Sequence, residues 1–194
     1  MNIGVLALQG DFERHIHQLS LLGAGMTEVR TATQLNEIDG LIIPGGESTT
    51  MNILFDRFDL RQPLTDYGHS RPVWGTCAGM IMLAMKIEDN QANVRTLGLM
   101  DVDVVRTGYG RQVNSFDVPL TARLNDDEVT LRATFIRAPR ICRTGKNVKT
   151  LASYDGDPVL VIEGHLMASS FHTELDDDCT LLEFFLRRFV LARL

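Results

Sequence analysis

A cysteine lies between two glycines where the chain has almost no room to turn. The apolar run Val73-Trp74 is typical of a buried strand end, and the apolar stretch from Ala78 is typical of a helix start. Between them stands Gly75-Thr76-Cys77-Ala78-Gly79. A nucleophile on so sharp a turn needs small residues two positions before and after it, because a Cβ there would collide with neighbouring backbone. The pattern therefore predicts an α/β fold that presents Cys77 as a nucleophile.

The same turn would make the Cys77 thiol reactive. Backbone N–H groups at the start of a helix have no partner within the helix, and they favour a thiolate over a thiol. The alternative is a buried structural cysteine whose glycine neighbours arose by chance. Cys142 and Cys179 lack flanking glycines and are interpreted as bystanders.

A nucleophilic cysteine needs a base, and His172 is the strongest candidate among the five histidines. Glu174 follows two positions later, and residues two apart in an extended segment project to the same side. The three side chains would then divide the roles of a triad: Cys77 attacks, His172 takes its proton, and Glu174 orients the base. A surface ion pair remains the alternative for the His172–Glu174 pattern taken alone. His165 is interpreted as a polar strand-end residue. His15 and His17 are interpreted as ordinary residues of a first helix, with a role in the site as the alternative.

A pair of glycines follows the apolar run that ends at Pro44. Gly45-Gly46 lets the backbone approach a ligand, and Ser48 or Thr49 is placed to cap the next helix. Exposed N–H groups in such a loop can stabilise the oxyanion of a tetrahedral intermediate. A phosphate-binding loop is the competing interpretation, but the Gly-x-x-x-x-Gly-Lys-Ser/Thr pattern is absent.

The alternation of apolar segments predicts one three-layer α/β/α domain over residues 1–194, with a central mixed sheet. Sites in parallel sheets gather at the carboxyl ends of the strands, which would bring the glycine loop, Cys77 and His172 together. The predicted strands are 3–8, 28–31, 40–43, 73–74, 101–105, 113–118, 130–136, 151–154, 159–163 and 166–171. The predicted helices are 12–22, 49–55, 60–67, an elbow helix running through Met85, and an amphipathic helix over 181–190.

Composition limits the class of protein. The net charge of −6 argues against nucleic acid as the main partner. Three cysteines, an odd number without paired spacing, favour a reducing compartment over a disulfide framework. No apolar run has membrane-spanning length, and Met1 is not followed by a signal-peptide pattern. We therefore expect a cytoplasmic enzyme.

The motifs in combination resemble a known family. GGEST at 45–49, GTCAG at 75–79 and SFHTEL at 170–175 resemble the class I, or triad, glutamine amidotransferases. ALQG at 7–10, GRQVNSF at 110–116 and FIRAP at 135–139 narrow the resemblance to the glutaminase subunits of pyridoxal 5'-phosphate synthases. The resemblance covers essentially the whole chain. Two positions depart from the family pattern: Thr173 stands where proline is usual, and Asn114 where aspartate is common.

The resemblance implies a flavodoxin-like fold and a glutaminase reaction. L-Glutamine would be hydrolysed to L-glutamate and ammonia by Cys77, His172 and Glu174. The oxyanion would be held by the backbone N–H groups of Gly46 and Ala78. The residues implied to contact glutamine are Gly46, Glu47, Ser48, Arg106, Ile136 and Arg137.

The resemblance also implies a partner. The ammonia would pass to the pyridoxal 5'-phosphate synthase barrel subunit, within a large hetero-oligomer of both proteins. The free chain would be a poor glutaminase until this partner completes its oxyanion hole. Neither a cofactor nor a metal is expected, because pyridoxal phosphate would be the product, made on the other subunit.

Two alternatives to this function are considered. The first is a glutaminase that feeds imidazole or purine synthesis, and the motifs at 110–116 and 135–139 argue against it. The second is a non-catalytic α/β interaction domain. Such a domain would be expected to have lost a triad residue, and all three are present.

Overall fold

A mixed β-sheet runs through the centre of the computed structural model, which describes residues 1–108 and 115–193. The described strands are β1 Asn2–Leu6, β2 Gly25–Val29, β3 Gly40–Ile43, β4 Val73–Thr76, β5 Ala84–Ile87, β6 Met100–Val105, β7 Phe116–Leu124, β8 Asp127–Phe135, β9 Arg140–Thr144, β10 Lys149–Tyr154, β11 Asp157–Glu163 and β12 Leu166–Ser169. Seven of them form the central sheet, in the order β10-β11-β12-β4-β3-β1-β2. The strands from β12 to β2 pair in parallel, whereas β11 pairs antiparallel with both β12 and β10, which confirms the predicted central mixed sheet.

Helices cover both faces of this sheet. The described α-helices are α1 Phe12–Leu21, α2 Ser48–Arg57, α3 Arg61–Ser70, α4 Ala78–Leu83 and α5 Thr180–Phe185. A 3-10 helix spans Ala32–Glu37, and α5 continues as a π-helix over Leu186–Val190 and a 3-10 helix over Leu191–Arg193. No helix in the described ranges is both long enough and apolar enough to cross a membrane.

Alternating side chains of the central strands supply the two hydrophobic cores. In β4, Val73 packs with residues of α2, α3 and α4, whereas Trp74 packs with residues of α1 and α5. In β3, Leu41 and Ile43 face the first core and Ile42 the second. Because successive strand residues point to opposite faces, apolar runs such as these require a cover on each side. The three-layer α/β/α prediction is therefore confirmed.

The elbow helix is shorter than predicted. It ends at Leu83, and Ala84–Ile87 forms β5, which pairs in parallel with β6. The prediction of a helix through Met85 is therefore wrong. A continuous apolar run does not distinguish a buried helix from a strand, and here pairing with a distant strand decides the backbone conformation of its end.

Several strands of the second half lie outside the central sheet. β5, β6 and β9 form a three-stranded sheet, and β7 and β8 form a separate hairpin. β9 was not predicted, and β2 lies at Gly25–Val29 rather than at 28–31. The predicted strand at 113–118 falls partly outside the described residues, and so does most of the GRQVNSF motif.

Candidate active site

The predicted strand-to-helix turn carries Cys77 at the end of β4. Cys77 has φ 49° and ψ −104°, a sparsely populated conformation that costs about 1–3 kcal/mol and persists only where the surroundings impose it. A Cβ on Gly79 would overlap the carbonyl oxygen of Ile43. A Cβ on Gly75 would lie 2.6 Å from the carbonyl of Gly79. Both glycines are therefore required by backbone-to-backbone packing.

Two strands fix the positions of Cys77 and His172. The Cys77 N–H donates to the carbonyl of Ser169 at 2.8 Å, at the end of β12. His172 exchanges two backbone hydrogen bonds with Thr134 of β8, at 3.1 and 2.9 Å. The side chains of Cys77 and His172 line the same cavity, and their interaction raises the pKa of His172. A Cβ on Gly45 would collide with the His172 ring and would lie 3.3 Å from the Cβ of Cys77, so only glycine leaves room for this contact.

Glu174 lies behind His172 and is fully buried. Its Oε1 is 2.5 Å from His172 Nδ1, and its Oε2 accepts a hydrogen bond from the Thr173 N–H at 3.0 Å. The predicted contact between the two side chains is present, but its geometry differs from the prediction. After the single bridge at His172 the chain bends and turns, so the carboxylate reaches back from a turn and not along an extended strand.

The His172–Glu174 pair is stabilised in its charged form. Burial acts to lower the pKa of His172, but hydrogen bonds with Cys77 and Glu174, together with their charges, raise it above its usual value. Burial acts to raise the pKa of Glu174, but the electrostatic contact with His15 and the hydrogen bond and charge of His172 hold it below its usual value. The pair therefore provides an oriented imidazole beside a permanent carboxylate.

His15 lies in α1, the predicted first helix, but its side chain is buried beside this pair and does not lie on the surface. The side chain is fully buried, with Nε2 3.6 Å from Glu174 Oε1 and 3.3 Å from Thr76 Oγ1. Its ring meets that of Trp74 edge-on, with centroids 5.5 Å apart. His17, in contrast, is exposed and contacts Asp177, as expected of a surface residue.

Gln18 holds the turn that carries Glu174. The buried Gln18 Nε2 lies 3.0 to 3.2 Å from the carbonyl oxygens of Thr173, Asp176 and Asp178. Helical spacing was the available signal, because His15, Gln18 and Leu19 are three and four positions apart and form the buried face of α1.

The glycine loop after β3 leads into α2, and the N-cap of this helix was predicted at the wrong residue. Glu47, rather than Ser48 or Thr49, caps α2 by accepting the Thr50 N–H at 2.7 Å. Burial opposes this charge, but the hydrogen bonds from Thr50 and Thr49 together outweigh it and lower the pKa of Glu47. Gly46 has φ 144°, a conformation that favours glycine, and the next N–H, that of Glu47, donates to Gln9 Oε1 at 3.0 Å.

Arg106 joins the glycine loop across a cavity of about 450 Å³. Its guanidinium donates to Ser48 Oγ at 3.1 Å and to Glu47 Oε1 at 3.2 Å. The Cys77 Sγ lies 4.0 Å from the carbonyl oxygen of Ile136 on the same cavity. The predicted site residues that line it are Gly46, Glu47, Ser48, Cys77, Ala78, Arg106, Ile136, Arg137 and His172. Lining residues that sequence reasoning missed include Gly10, Asp11, Ile81 and Thr107.

Two further features concern the groups available at the cavity. Ala78 begins α4, so its N–H is among the first amides of a helix, which have no acceptor within the helix. Within residues 1–108 and 115–193, no cluster of three or more His, Cys, Asp or Glu side chains is arranged to hold a metal ion.

A family model and the sequences of curated proteins agree on the family that this chain resembles. The sequence signature of the SNO glutamine amidotransferase family matches residues 5–191. The pyridoxal 5'-phosphate synthase subunit PdxT of Dehalococcoides mccartyi strain BAV1 is 47% identical over 189 residues, which cover 96% of each chain. PdxT of Thermotoga sp. strain RQ2 is 48% identical over 96% of this chain and 98% of its own.

Solved structures share the fold. A crystal structure described as a glutamine amidotransferase superposes with a TM-score of 0.88 at 40% identity, covering 95% of this chain and 97% of its own. PurLQS from Thermotoga maritima shares the fold alone, with a TM-score of 0.67 at 13% identity, covering 99% of this chain and 97% of the other.

Proposed function

The chain belongs to the SNO glutamine amidotransferase family, and we propose that it is the glutaminase subunit of a pyridoxal 5'-phosphate synthase. It hydrolyses the side-chain amide of L-glutamine to L-glutamate and ammonia. The observation that carries the proposal is the continuous line of contacts from Cys77 through His172 to Glu174 at the wall of the cavity.

The reaction proceeds in two steps through a thioester. The Cys77 sulfur attacks the amide carbon, and the carbonyl oxygen becomes an oxyanion held by the N–H groups of Gly46 and Ala78. His172 gives its proton to the leaving nitrogen, and ammonia departs. His172 then removes a proton from water, which attacks the thioester and releases glutamate and the Cys77 sulfur. Glu174 keeps the imidazole oriented through both steps.

The cavity offers complementary charges for the amino-acid end of glutamine. The planar guanidinium of Arg106 suits the α-carboxylate, because it presents several donors in a fixed fork. The Glu47 carboxylate, held by Thr50 and Thr49, suits the α-ammonium group. Ser48, Ile136 and Arg137 complete the binding wall. The two charged side chains contact each other, so bound glutamine would exchange with this ion pair.

The ammonia is delivered to a synthase barrel subunit in a large hetero-oligomer, since free ammonia would be lost to protonation and diffusion. The related PdxT proteins are named as synthase subunits, which supports this partner over enzymes of imidazole or purine synthesis. The chain is proposed to act as one domain and in the cytoplasm, where the free thiols of its three cysteines would persist.

Glutamate release by the purified chain, measured with saturating synthase subunit, tests the function. Cys77→Ala and His172→Asn should abolish release, whereas the matched thiol variant Cys142→Ala should leave it unchanged. A glutamine-analogue alkylator should modify Cys77 and spare Cys142 and Cys179, because burial and nearby carboxylates raise the pKa of both other thiols. An adduct mapped to Cys142 or Cys179, or full activity in Cys77→Ala, would refute the assignment.

A further inference from the structure

We propose that His15 is a positioning residue of the triad, a neutral imidazole on α1 that holds the Glu174 carboxylate in place for His172. The inference rests on the proposed glutaminase function and adds a residue to it. Its basis is a fully buried imidazole that touches both the residue before the nucleophile and the acid of the triad.

The Glu174 carboxylate is shared among three groups. His172 Nδ1 and the Thr173 N–H make the short contacts, at 2.5 and 3.0 Å, and His15 Nε2 lies 3.6 Å from Oε1. The last distance is too long for an ordinary hydrogen bond, so this contact is electrostatic. A carboxylate that is 1% exposed has almost no water to complete its solvation, and an N–H dipole at that distance stabilises its position.

The tautomer of His15 follows from its surroundings. Its Nδ1 is buried and has no hydrogen-bond partner among the described residues, whereas Nε2 faces Thr76 Oγ1 and Glu174 Oε1. A proton on Nδ1 would leave a buried donor unpaired, so we assign the proton to Nε2. The imidazole therefore points its N–H at the oxygens on which the triad depends.

His15 remains neutral, and this matters for its role. Burial lowers the pKa of His15, with the Glu174 carboxylate opposing and the His172 imidazole reinforcing that effect. A second imidazolium beside Glu174 would compete with His172 for the same carboxylate. A neutral ring orients the carboxylate and leaves its charge to balance His172 alone.

Neighbouring rings and strands keep His15 from moving. The fully buried Trp74 meets its ring edge-on, and Thr76 directly precedes Cys77 in the elbow. Since Trp74 and Thr76 are both in β4, the strand that ends at the nucleophile also locates the residue behind the acid. Movement of α1 relative to β4 would thus disturb both ends of the triad.

Substitution of His15 tests whether this residue positions the triad, which would change kcat, or affects glutamine binding, which would change KM. With saturating synthase subunit, His15→Phe should lower kcat by roughly 10-fold to 100-fold, as is found for residues that orient metal ligands, with KM changed by less than about 2-fold. His15→Gln, which retains an N–H donor near Nε2, should recover part of kcat. Leu19→Ala is the matched control, because it empties a fully buried site on the same helix face and should lower Tm without lowering kcat at temperatures where it is folded.

A double-mutant cycle with Glu174→Gln distinguishes positioning from a purely structural role. It compares the loss of kcat caused by His15→Phe in the wild-type and Glu174→Gln backgrounds. If His15 acts through Glu174, His15→Phe should cost little in the Glu174→Gln background. The same cycle with His15→Gln applies should the phenylalanine variant fail to fold. An unchanged kcat in His15→Phe, or the same fold-loss in both backgrounds, would overturn the proposal.

A spectroscopic measurement keeps this test distinct from the test of function. The His172 Nδ1 proton, in its short contact with Glu174, should give a far-downfield proton resonance. That resonance should shift in His15→Phe and stay in place in Leu19→Ala, whether or not glutamine is hydrolysed. A wild-type chain without Cys77-dependent glutamate release refutes the proposed function, whereas an unmoved resonance refutes the role of His15.

Discussion

At the residue scale, the site depends on glycine positions where an added Cβ atom would collide with neighbouring atoms. Cys77 adopts a positive φ although it is not glycine, and the elbow holds it there because Gly75 and Gly79 let two backbone segments touch. Gly45 plays the same part between Cys77 and the His172 ring. Reactivity at this site is therefore specified by the absence of side chains as much as by the triad itself.

Gly79→Ala should disrupt the elbow, because the new Cβ would overlap the carbonyl oxygen of Ile43 and backbone cannot move aside cheaply. We expect Gly79→Ala to lose much more stability than the about 1–2 kcal/mol that it costs to place an alanine in a left-handed conformation, as at Gly23. Gly23→Ala is the control, since Gly23 has φ 64° with open space around it. Urea unfolding measures both, and equal losses would contradict the packing argument.

The charges of His172 and Glu174 predict two pH limits for stability. The pKa of Glu174 is lowered on folding, so its contribution is present above the unfolded value, about 4.5, and is lost as pH falls through the folded value. The pKa of His172 is raised, so its contribution is complete below about 6.5 and is lost as pH rises through the folded value.

Glu174→Gln tests both limits together, because it removes the carboxylate and the partner of His172. The stability deficit of this variant should be greatest between the two unfolded values and should shrink toward more acidic and more alkaline pH. Free energies of unfolding in urea across the pH range give the comparison. A deficit that does not vary with pH would show that the pair is not charged in the folded protein.

At the scale of the element, α1 supports the triad from behind. His15 and Gln18 lie on the face of α1 that also buries Leu19, so one helix both fills the core and holds the 173–178 turn. Thr173 stands in this turn, where the resemblance to the family implies proline, and its N–H donates to Glu174. A proline could not supply that donor. The departure from the family pattern thus adds a hydrogen bond to the acid.

Gln18→Leu should weaken the site through this turn. The carbonyls of Thr173, Asp176 and Asp178 would lose their shared donor, and leaving the buried Thr173 carbonyl unpaired would cost about 1–3 kcal/mol. We expect both Tm and kcat to fall, with a smaller change in KM. Gln62→Leu, on an exposed position of α3, is the control for the same chemical change. A variant with lower Tm but wild-type kcat would show that the turn does not depend on Gln18.

At the scale of the whole molecule, the cavity joins parts of the chain that are far apart in sequence. The glycine loop, the elbow, Arg106 and the segment at 136–137 come together with His172 at one end of the central sheet. In parallel sheets the carboxyl ends of neighbouring strands form a shared edge, which is why ligands collect there. The face that holds the cavity is therefore where a synthase partner would influence the chemistry.

Binding of the synthase subunit should activate the glutaminase. If one N–H of Gly45-Gly46 points away from the cavity in the free chain, its rotation on docking would add an oxyanion donor, typically worth about 10²–10³-fold in kcat. We expect a rise of that order in glutamate release at saturating partner, with a smaller change in KM.

Gly46→Ala should reduce this activation without unfolding the chain. Gly46 has φ 144°, and an added Cβ would lie 2.6 Å from both end atoms of the Gln9 amide, a flexible side chain that can shift. Thermal unfolding, expected as one transition for a single domain, serves as the control for folding. Equal turnover with and without the partner would exclude gating and leave an independent hydrolase.

Much of the site could be predicted from local sequence patterns, but the residues that hold the triad in place could not. The elbow, the glycine loop and the His172–Glu174 contact each lie within a few residues, so spacing alone identifies them. His15 and Gln18 lie over 150 residues from the turn that they hold, so only the packed structure brings them there. The end of α4 was also mispredicted, because β5 is defined by pairing with β6.

The chain's sequence by itself determined where glycine is indispensable, which cysteine has the surroundings of a nucleophile, and that apolar strands must be covered on both faces. These are local properties, set by sterics and by the period of the side chains. The tertiary structure alone decided which strands share the central sheet and that α1 presents a neutral imidazole to Glu174. Such choices depend on contacts between distant segments, whose free energies become comparable only once the core has packed.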